Sequence, residues 1–360
     1  MPDVASGRDV GHDAGKRAVT TVAVIGMGQM GRSHALAYHG NPEYQIVGLV
    51  NRSGATLPDQ LKDYLTFADF DAMLALKPDV VSINTHADTH AQYAITAMEA
   101  GAHVFVEKPL ALTVADAERV VAAAHRTRRK LVVGYILRHH ASWVEFINQA
   151  RLLGPPFVMR MNLNQRSTGH EWVLHKRLLK NVSPVVDCGV HYLDVMLQIT
   201  DSAPVQVRGM GVRLSDEIAS DQVNYGHLQV TFADGSVGWY EAGWGPMISE
   251  TAHFVKDIMG PRGSVSIVKE DDTGSADVNS HTKTSRLCVH RVADGKDEIL
   301  SMADEPDHHA LCALEQQFLL EAIWQDLNLE QHMIDAVRSL AVVLAADQSM
   351  REGRAIDLSI

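Results

Sequence analysis

Three stretches of this chain bring together residue types that can do proton and anion chemistry. In the first, Asp187, His191 and Asp194 are spaced by four and then three residues, which places them on one face of a helix. An imidazole titrates near neutral pH and can pass a proton while a neighbouring carboxylate orients the ring or holds a hydroxylated ligand. The plainer alternative for the same spacing is an ion pair on a helix surface. In the second, Lys108 follows an apolar run and precedes Pro109, a residue that fixes the backbone and accepts a cis peptide. A lysine there can donate to a ligand hydroxyl, and partial burial would lower its pKa toward proton chemistry; the alternative is an ordinary strand-end turn. The third stretch, Val22-Ala23-Val24-Ile25-Gly26-Met27-Gly28-Gln29-Met30-Gly31, is a β-branched run that breaks into G-x-G-x-x-G and then into a helical pattern beginning near Arg32.

Each of these glycines has a physical task. Gly26 permits a tight turn off the strand, Gly28 lets a pyrophosphate approach the backbone, and Gly31 lets the helix pack closely on the strand. The phosphates would sit at the helix N-terminus, where free N–H groups and the dipole favour negative charge. An acid at the end of the next strand would accept a ribose 2′-hydroxyl. The chain instead has Asn51, 20 residues past Gly31, followed by Arg52 and Ser53. An amide, a guanidinium and a hydroxyl suit a 2′-phosphate, so the expected cofactor is NADP or NAD, with NADP favoured.

The elements that must position these groups can be read in chain order. Strands are predicted at Val22–Ile25, Ile46–Val50, Val80–Ile83, His103–Val106 and Leu131–Tyr135, alternating with helices. Asp88 or Thr89 is expected to cap one helix, which stops at Gly101, and Thr113 with Asp116 forms a capping box for the next. Near-continuous apolar strands between helices indicate a parallel sheet covered on both faces. The pattern changes near residue 141. A helix over about 141–152 leads to Gly154-Pro155-Pro156, then a strand over Phe157–Leu163, and a polar loop or lid over Asn164–Asn181. A helix over Pro184–Ile199 follows, then several strands, including a hairpin at Asp234-Gly235 between Tyr225–Phe232 and Ser236–Ala242. Leu311, Leu314 and Phe318 mark one closing helix; Met333, Val337, Leu340 and Leu344 mark the other. The expected fold class is α/β: a Rossmann domain with a parallel sheet over 20–140, then an α+β domain over 141–360 with an open, mostly antiparallel sheet. Residues 1–19, polar and without an apolar core, read as a disordered tail and not a signal peptide.

Composition narrows the partners. At 360 residues two domains are expected, and 46% hydrophobic with 21% charged residues is usual for a globular protein. A formal charge of −12 argues against nucleic acid or an anionic membrane as partner, and no apolar run is long enough to span a bilayer. The basic cluster from Arg126 to Lys130 closes a predicted helix, where cations suit the dipole. Cys188, Cys288 and Cys312 are scattered, which suggests a reducing compartment and hence a cytoplasmic location. The pairs His139-His140 and His308-His309 are poorly spaced for one metal, and no metal is expected. Tyr225, Trp239, Tyr240 and Trp244 give the predicted sheet more aromatic surface than one helical layer would cover, so a homodimer or homotetramer is expected.

The glycine motif, Glu107-Lys108-Pro109 and Asp187-x-Gly189-x-His191, in that order, resemble the glucose–fructose oxidoreductase / inositol dehydrogenase / rhizopine catabolism (Gfo/Idh/MocA) family over about residues 20–352. The resemblance implies an N-terminal Rossmann domain and a C-terminal α/β domain whose open sheet builds oligomers. It implies that Gly26, Gly28 and Gly31 hold a pyrophosphate and that Lys108 contacts the substrate hydroxyl and the nicotinamide side. Asp187 would bind substrate and His191 would be the acid/base. Met27, Gln29, Met30, Asn51, Arg52, Ser53, Thr85, His90 and Glu107 complete the expected cofactor contacts. Tyr135, Arg166, His170, Trp172 and Lys176 complete the expected substrate contacts, with His175, Tyr240 and Trp244 nearby. One departure is that Thr85 is followed by His86 where the family often has proline. The implied activity is hydride transfer between nicotinamide and a secondary carbinol of a sugar, inositol or glycoside. Two alternatives share the fold: an NAD-dependent glycosidase working by transient oxidation, and a non-catalytic sugar or nucleotide sensor.

Overall fold

The computed structural model describes residues 18–249, 255–268 and 286–359. The 1–19 tail lies almost wholly outside them. The first unit is a six-stranded parallel sheet in the order β3-β2-β1-β4-β5-β6, made of β1 (Thr20–Ile25), β2 (Tyr44–Val50), β3 (Thr66–Phe67), β4 (Val80–Ile83), β5 (His103–Val106) and β6 (Leu131–Val133). The chain turns from one side of the sheet to the other between β1 and β4, so a crevice opens at their carboxyl ends, the place where such sheets bind ligands. The central strands are buried throughout because helices cover both faces. These helices include α1 (Gln29–Gly40), α2 (Phe70–Leu74), α3 (Ala87–Glu99) and α4 (Val114–Thr127). Thr113 caps α4 as its sequence indicates, accepting from the Asp116 N–H at 3.1 Å. The cap of α3 is His86 and not Asp88 or Thr89, and β3 is a two-residue strand too short to show a pattern.

The second unit is a nine-stranded sheet in the order β14-β13-β12-β11-β7-β10-β9-β8-β15. Its strands are β7 (Val158–Arg166), β8 (Pro204–Val212), β9 (Tyr225–Phe232), β10 (Val237–Gly245), β11 (Lys256–Gly260), β12 (Gly263–Val268), β13 (Arg286–Arg291), β14 (Lys296–Ser301) and β15 (Ile356–Asp357). Only β7 and β10 pair in parallel among the described strands; every other pairing is antiparallel. Asp234-Gly235 closes the β9–β10 hairpin, with Gly235 at φ +85°. One face of the sheet packs under α5 (Ala141–Leu153), α7 (Pro184–Thr200) and α9 (Glu330–Glu352). Among the described residues the other face carries exposed side chains, among them Val158, Val237 and Met259. The aromatic residues expected on one surface divide between these faces: Tyr240 and Trp244 are buried, while Trp239 and Tyr225 are only half-buried.

The polar stretch 164–181 is not a loop. β7 runs on to Arg166, and α6 (Gly169–Leu178) follows. The polar residues at the end of β7 are tolerated because each finds a partner: Asn164 donates to Glu241, and Gln165 accepts from the Trp244 indole at 2.8 Å.

The units are joined at the end of β6 and through α8 (His308–Trp324), which packs on α1. Arg138 donates to Asp194 at 2.9 Å and to Asp335 of α9 at 2.8 Å. Tyr135 shares a 2.8 Å hydrogen bond with Ser339, and the Val133 N–H donates to His332 at 2.8 Å. The Arg126–Lys130 cluster is structural: Arg126 pairs with Glu99, Arg128 is the left-handed cap of α4, and Lys130 pairs with Asp326 at 2.6 Å.

Candidate active site

The glycine turn fits a dinucleotide. Gly26 has φ +86°, and a Cβ there would lie 2.6 Å from the Asn84 carbonyl oxygen; at Gly31 it would lie 1.7 Å from the Gly26 oxygen. Both glycines are therefore required by the backbone itself. A Cβ at Gly28 would meet nothing within 4 Å, so this exposed residue faces open space. No side chain caps α1 and its first turn carries no acid, which leaves its leading N–H groups directed at that space. Gln29 is exposed there and Met30 half-buried. Met27 is a correction: its side chain is 2% exposed and packs in the core with Leu49 and Phe105, leaving only its backbone at the turn.

At the end of β2, Arg52 and Ser53 are exposed. Asn51 is otherwise engaged: its carboxamide donates to the Ala55 carbonyl at 2.7 Å and accepts from the Ala55 N–H at 2.9 Å, closing its own loop. Thr85 shares a 2.6 Å hydrogen bond with Thr89. His90 is fully buried, with its ring nitrogens 2.8 Å from the Pro109 oxygen and 3.0 Å from the Thr85 oxygen. It braces the loops after β4 and β5, contrary to the expected cofactor contact.

Lys108 lies after β5, with a cis peptide to Pro109. Its Nζ is 3.1 Å from the Asp187 carbonyl oxygen and 3.2 Å from Asp187 Oδ1, and both side chains are about 20% exposed. Burial pushes the ammonium pKa down, but the charges of Asp187 and Glu107 outweigh it and leave it raised. Lys108 therefore stays a cation rather than a proton-transfer base.

His191 sits one turn after Asp187 in α7. Ser183 caps this helix and Pro184 opens it. The ring meets Tyr135 edge-on at 5.9 Å, and its Nδ1 is buried with no hydrogen-bond partner. Burial first, then the Lys108 charge, pushes its pKa to about 3, against the raising influence of Glu107 and Asp187. The expectation that this ring titrates unaided near 6.5 therefore fails. It is a neutral base throughout the neutral range. Asp194, expected on the same face, is fully buried in the Arg138 pair and takes no part.

The remaining expected substrate residues divide. Tyr135 is buried with its hydroxyl on Ser339, so it presents no polar group. His170 is exposed in the first turn of α6, and Arg166 ends β7 half-buried. Trp172 is 5% exposed beneath the Lys176 ammonium, and Lys176 pairs with Glu217 at 2.6 Å; neither reaches toward Lys108 as a free group. His175 instead comes in, stacked on Trp244 at 4.4 Å. Burial pushes it down to about 4, with the Asp187 charge opposing.

Sequence reasoning missed the support beneath Lys108. His34 of α1 is 2.8 Å from Glu107 Oε1, and Glu107 Oε2 accepts the Lys108 N–H at 3.1 Å. Burial raises the Glu107 pKa, but the His34 hydrogen bond and the Lys108 charge outweigh it and hold it below the usual carboxylate value. Its carboxylate thus serves the protein framework and not the cofactor contact expected of it. His34, Cys312 and Glu315 place donor atoms within 4.8 Å of one another, but both His34 nitrogens are engaged, so a cation would have to displace a hydrogen bond. No local signal marks these contacts, because they join residues 73 and 282 positions apart.

The chain belongs to the Gfo/Idh/MocA oxidoreductase family. Its NAD-binding Rossmann fold matches residues 20–135, and its C-terminal α/β domain matches residues 152–358. Among relatives, UDP-N-acetylglucosamine 3-dehydrogenase of Acidithiobacillus ferrooxidans is 28% identical over 59% of this chain and 64% of its own length. Inositol 2-dehydrogenase of Agrobacterium fabrum is 30% identical over 52% of this chain and 56% of its own, and D-glucoside 3-dehydrogenase of Escherichia coli is 28% identical over 49% and 53%. The chain thus matches between about half and two thirds of these relatives' length. In structure, the Acidithiobacillus enzyme superposes with a TM-score of 0.75 at 23% identity, covering 93% of this chain and 99% of its own. The WlbA dehydrogenase of Chromobacterium violaceum, solved with NADH and UDP-GlcNAcA, also gives 0.75, at 19% identity over 96% and 97%. These likenesses establish the fold.

The buried neutral histidines set an expectation for acid stability. His103, His139 and His175 are pushed to about 4 and His191 to about 3, chiefly by burial. Unfolded, each takes a proton near 6.5. Below that pH the unfolded chain binds more protons than the folded one, so stability is full above about 6.5 and falls as pH drops toward 3–4. Glu315 and Asp194, both raised chiefly by burial, work the other way as pH rises, but they are two groups against four. The urea midpoint should therefore fall steadily from pH 7 to pH 4.5; a midpoint unchanged over that range would contradict these buried neutral rings.

Proposed function

We propose that this chain is an NAD(P)-dependent oxidoreductase that moves a hydride between nicotinamide and a secondary carbinol carbon of a sugar, cyclic polyol or glycosyl group. The observation that carries this reading is the grouping of a cationic Lys108 after β5 with the Asp187 carboxylate and a neutral His191 of α7, in a chain whose glycine turn leaves Gly28 facing open space. Bound along Gly28 and the α1 N-terminus, a nicotinamide dinucleotide supplies the hydride acceptor or donor. Lys108 donates to the carbinol oxygen and stabilises negative charge on it. Neutral His191 takes the hydroxyl proton in oxidation and returns it in reduction. Asp187 orients the Lys108 ammonium and offers an acceptor to a neighbouring hydroxyl. The relatives named above for UDP-N-acetylglucosamine, inositol and D-glucoside oxidation support a ring-bearing secondary alcohol as substrate class.

Two further proposals concern cofactor and assembly. We infer that NADP binds at least as well as NAD, because the end of β2 carries no acid to repel a 2′-phosphate and leaves Arg52 and Ser53 exposed, Asn51 being occupied by its own loop. We also infer a closed homo-oligomer through the open sheet face. There Met259, Val158 and Val237 lie side by side across β11, β7 and β10, each at least 37% exposed.

A panel of nucleotide sugars, inositols and simple glycosides, assayed with NAD and NADP, tests the activity directly. With the best substrate, His191→Ala should lower kcat by ~10²–10⁴, the usual range for general acid–base catalysis, while dinucleotide affinity survives. Because burial holds His191 low, the oxidation rate should show no inflection from this ring near pH 6.5. Near-native turnover in His191→Ala removes it as the base. Titrating both cofactors against wild type and Arg52→Ala checks the second proposal, which fails on a clear NAD preference unchanged by the substitution. Light scattering checks the third: a monomer at micromolar concentration contradicts it.

A further inference from the structure

A chain of hydrogen bonds runs from α8 to the backbone of Lys108 without touching the open site. The buried Tyr38 hydroxyl of α1 donates to Gln316 Oε1. The Gln316 amide nitrogen donates to His34 Nδ1 at 2.8 Å. A neutral ring whose Nδ1 accepts carries its proton on Nε2. That nitrogen donates to Glu107 Oε1 at 2.8 Å, and Glu107 Oε2 accepts the Lys108 N–H at 3.1 Å. Gln316 is held from a second side, because its own carbonyl accepts from the Tyr44 hydroxyl at 2.9 Å. Gln316 and His34 are each 0% exposed, Tyr38 is 1% and Glu107 is 8%.

The direction of every bond depends on the Gln316 amide. With the amide reversed, its oxygen would face His34 Nδ1 and call for the proton there. Nε2 of a neutral ring would then turn a lone pair toward the Glu107 carboxylate, and the two would repel. The Glu107 carboxylate, which can only accept, calls for the proton on Nε2, and the Gln316 amide nitrogen holds that tautomer by donating to Nδ1, its oxygen held by the Tyr38 hydroxyl. The imidazole in turn holds the carboxylate on which the Lys108 backbone rests. Asp187 holds the ammonium itself, and this outer-layer chain fixes the backbone from which the Lys108 side chain starts, in the turn after β5.

We propose that Gln316 is a positioning residue for Lys108, acting through His34 and Glu107. This rests on the reading of Lys108 as the group that meets the carbinol oxygen. The test compares kcat, KM for the carbinol substrate, NADH affinity by fluorescence and melting temperature for four variants. Gln316→Met keeps the volume and removes both hydrogen bonds; it should lower kcat by ~10-fold or more, with KM and NADH affinity little changed and the melting temperature lowered by the buried groups left unpaired. Gln316→Glu keeps an acceptor for Tyr38 but turns an oxygen toward the His34 Nδ1 lone pair, and should lower kcat at least as far as Gln316→Met. Tyr38→Phe removes only the hydroxyl that holds the amide oxygen and should lower kcat in the same pattern; it decides the matter if Gln316→Met does not fold. Lys108→Ala separates the layers. If it loses turnover while Gln316→Met and Tyr38→Phe keep wild-type kcat, this inference alone is overturned. If Lys108→Ala keeps turnover, the reading of Lys108 falls and this inference falls with it. A loss of kcat, substrate affinity and NADH affinity together in Gln316→Met would mark Gln316 as merely structural.

Discussion

The ion pair between Lys108 and Asp187 is the contact on which the rest of the site depends. It joins the turn after β5 of the parallel sheet to α7 of the second unit, at 3.2 Å. Its partners sit in opposite units, so the pair forms only when the units dock as they do through Arg138, Tyr135 and His332. It also sets the charges nearby. The carboxylate outweighs burial and keeps Lys108 cationic, and the cation helps to keep His191 neutral. An electrophile and a base are thereby separated within one small cluster, which is the division of labour that proton-coupled hydride chemistry needs.

Around this pair the fold spends buried polar groups in a consistent way. Glu107, His90, His34 and Asp194 are all buried beside it, and each is turned to the protein framework. An unpaired buried polar group is costly, so such groups are found hydrogen-bonded. His191 Nδ1 is an exception, buried without a partner.

Much of this was legible in the sequence, and the reason is locality. The glycine turn, the alternating strands, the Thr113 cap and the Asp234-Gly235 hairpin are each decided by residues within a few positions of one another. The motif residues Lys108, Asp187 and His191 come together as expected. What the sequence concealed depends on distant partners. Asp194 looks like a third member of the His191 face until Arg138, 56 positions away, claims it. The stretch 164–181 looks like a loop because Asn164 and Gln165 are polar, and only the Glu241 and Trp244 side chains across the sheet make a strand of it. His191 reads as an ordinary titrating imidazole because burial is invisible in a single sequence. Trp172 and Lys176 read as ligands, although one packs inward and the other pairs with Glu217.

The account holds that Lys108 and Asp187 act as one unit at the carbinol oxygen. A double-mutant cycle on kcat/KM with Lys108→Ala, Asp187→Ala and the pair together tests this most directly. Residues that act as a unit lose most of their effect with the first substitution. The double variant should therefore be little worse than the poorer single variant. Losses that simply multiply would show two independent contributions and contradict the account.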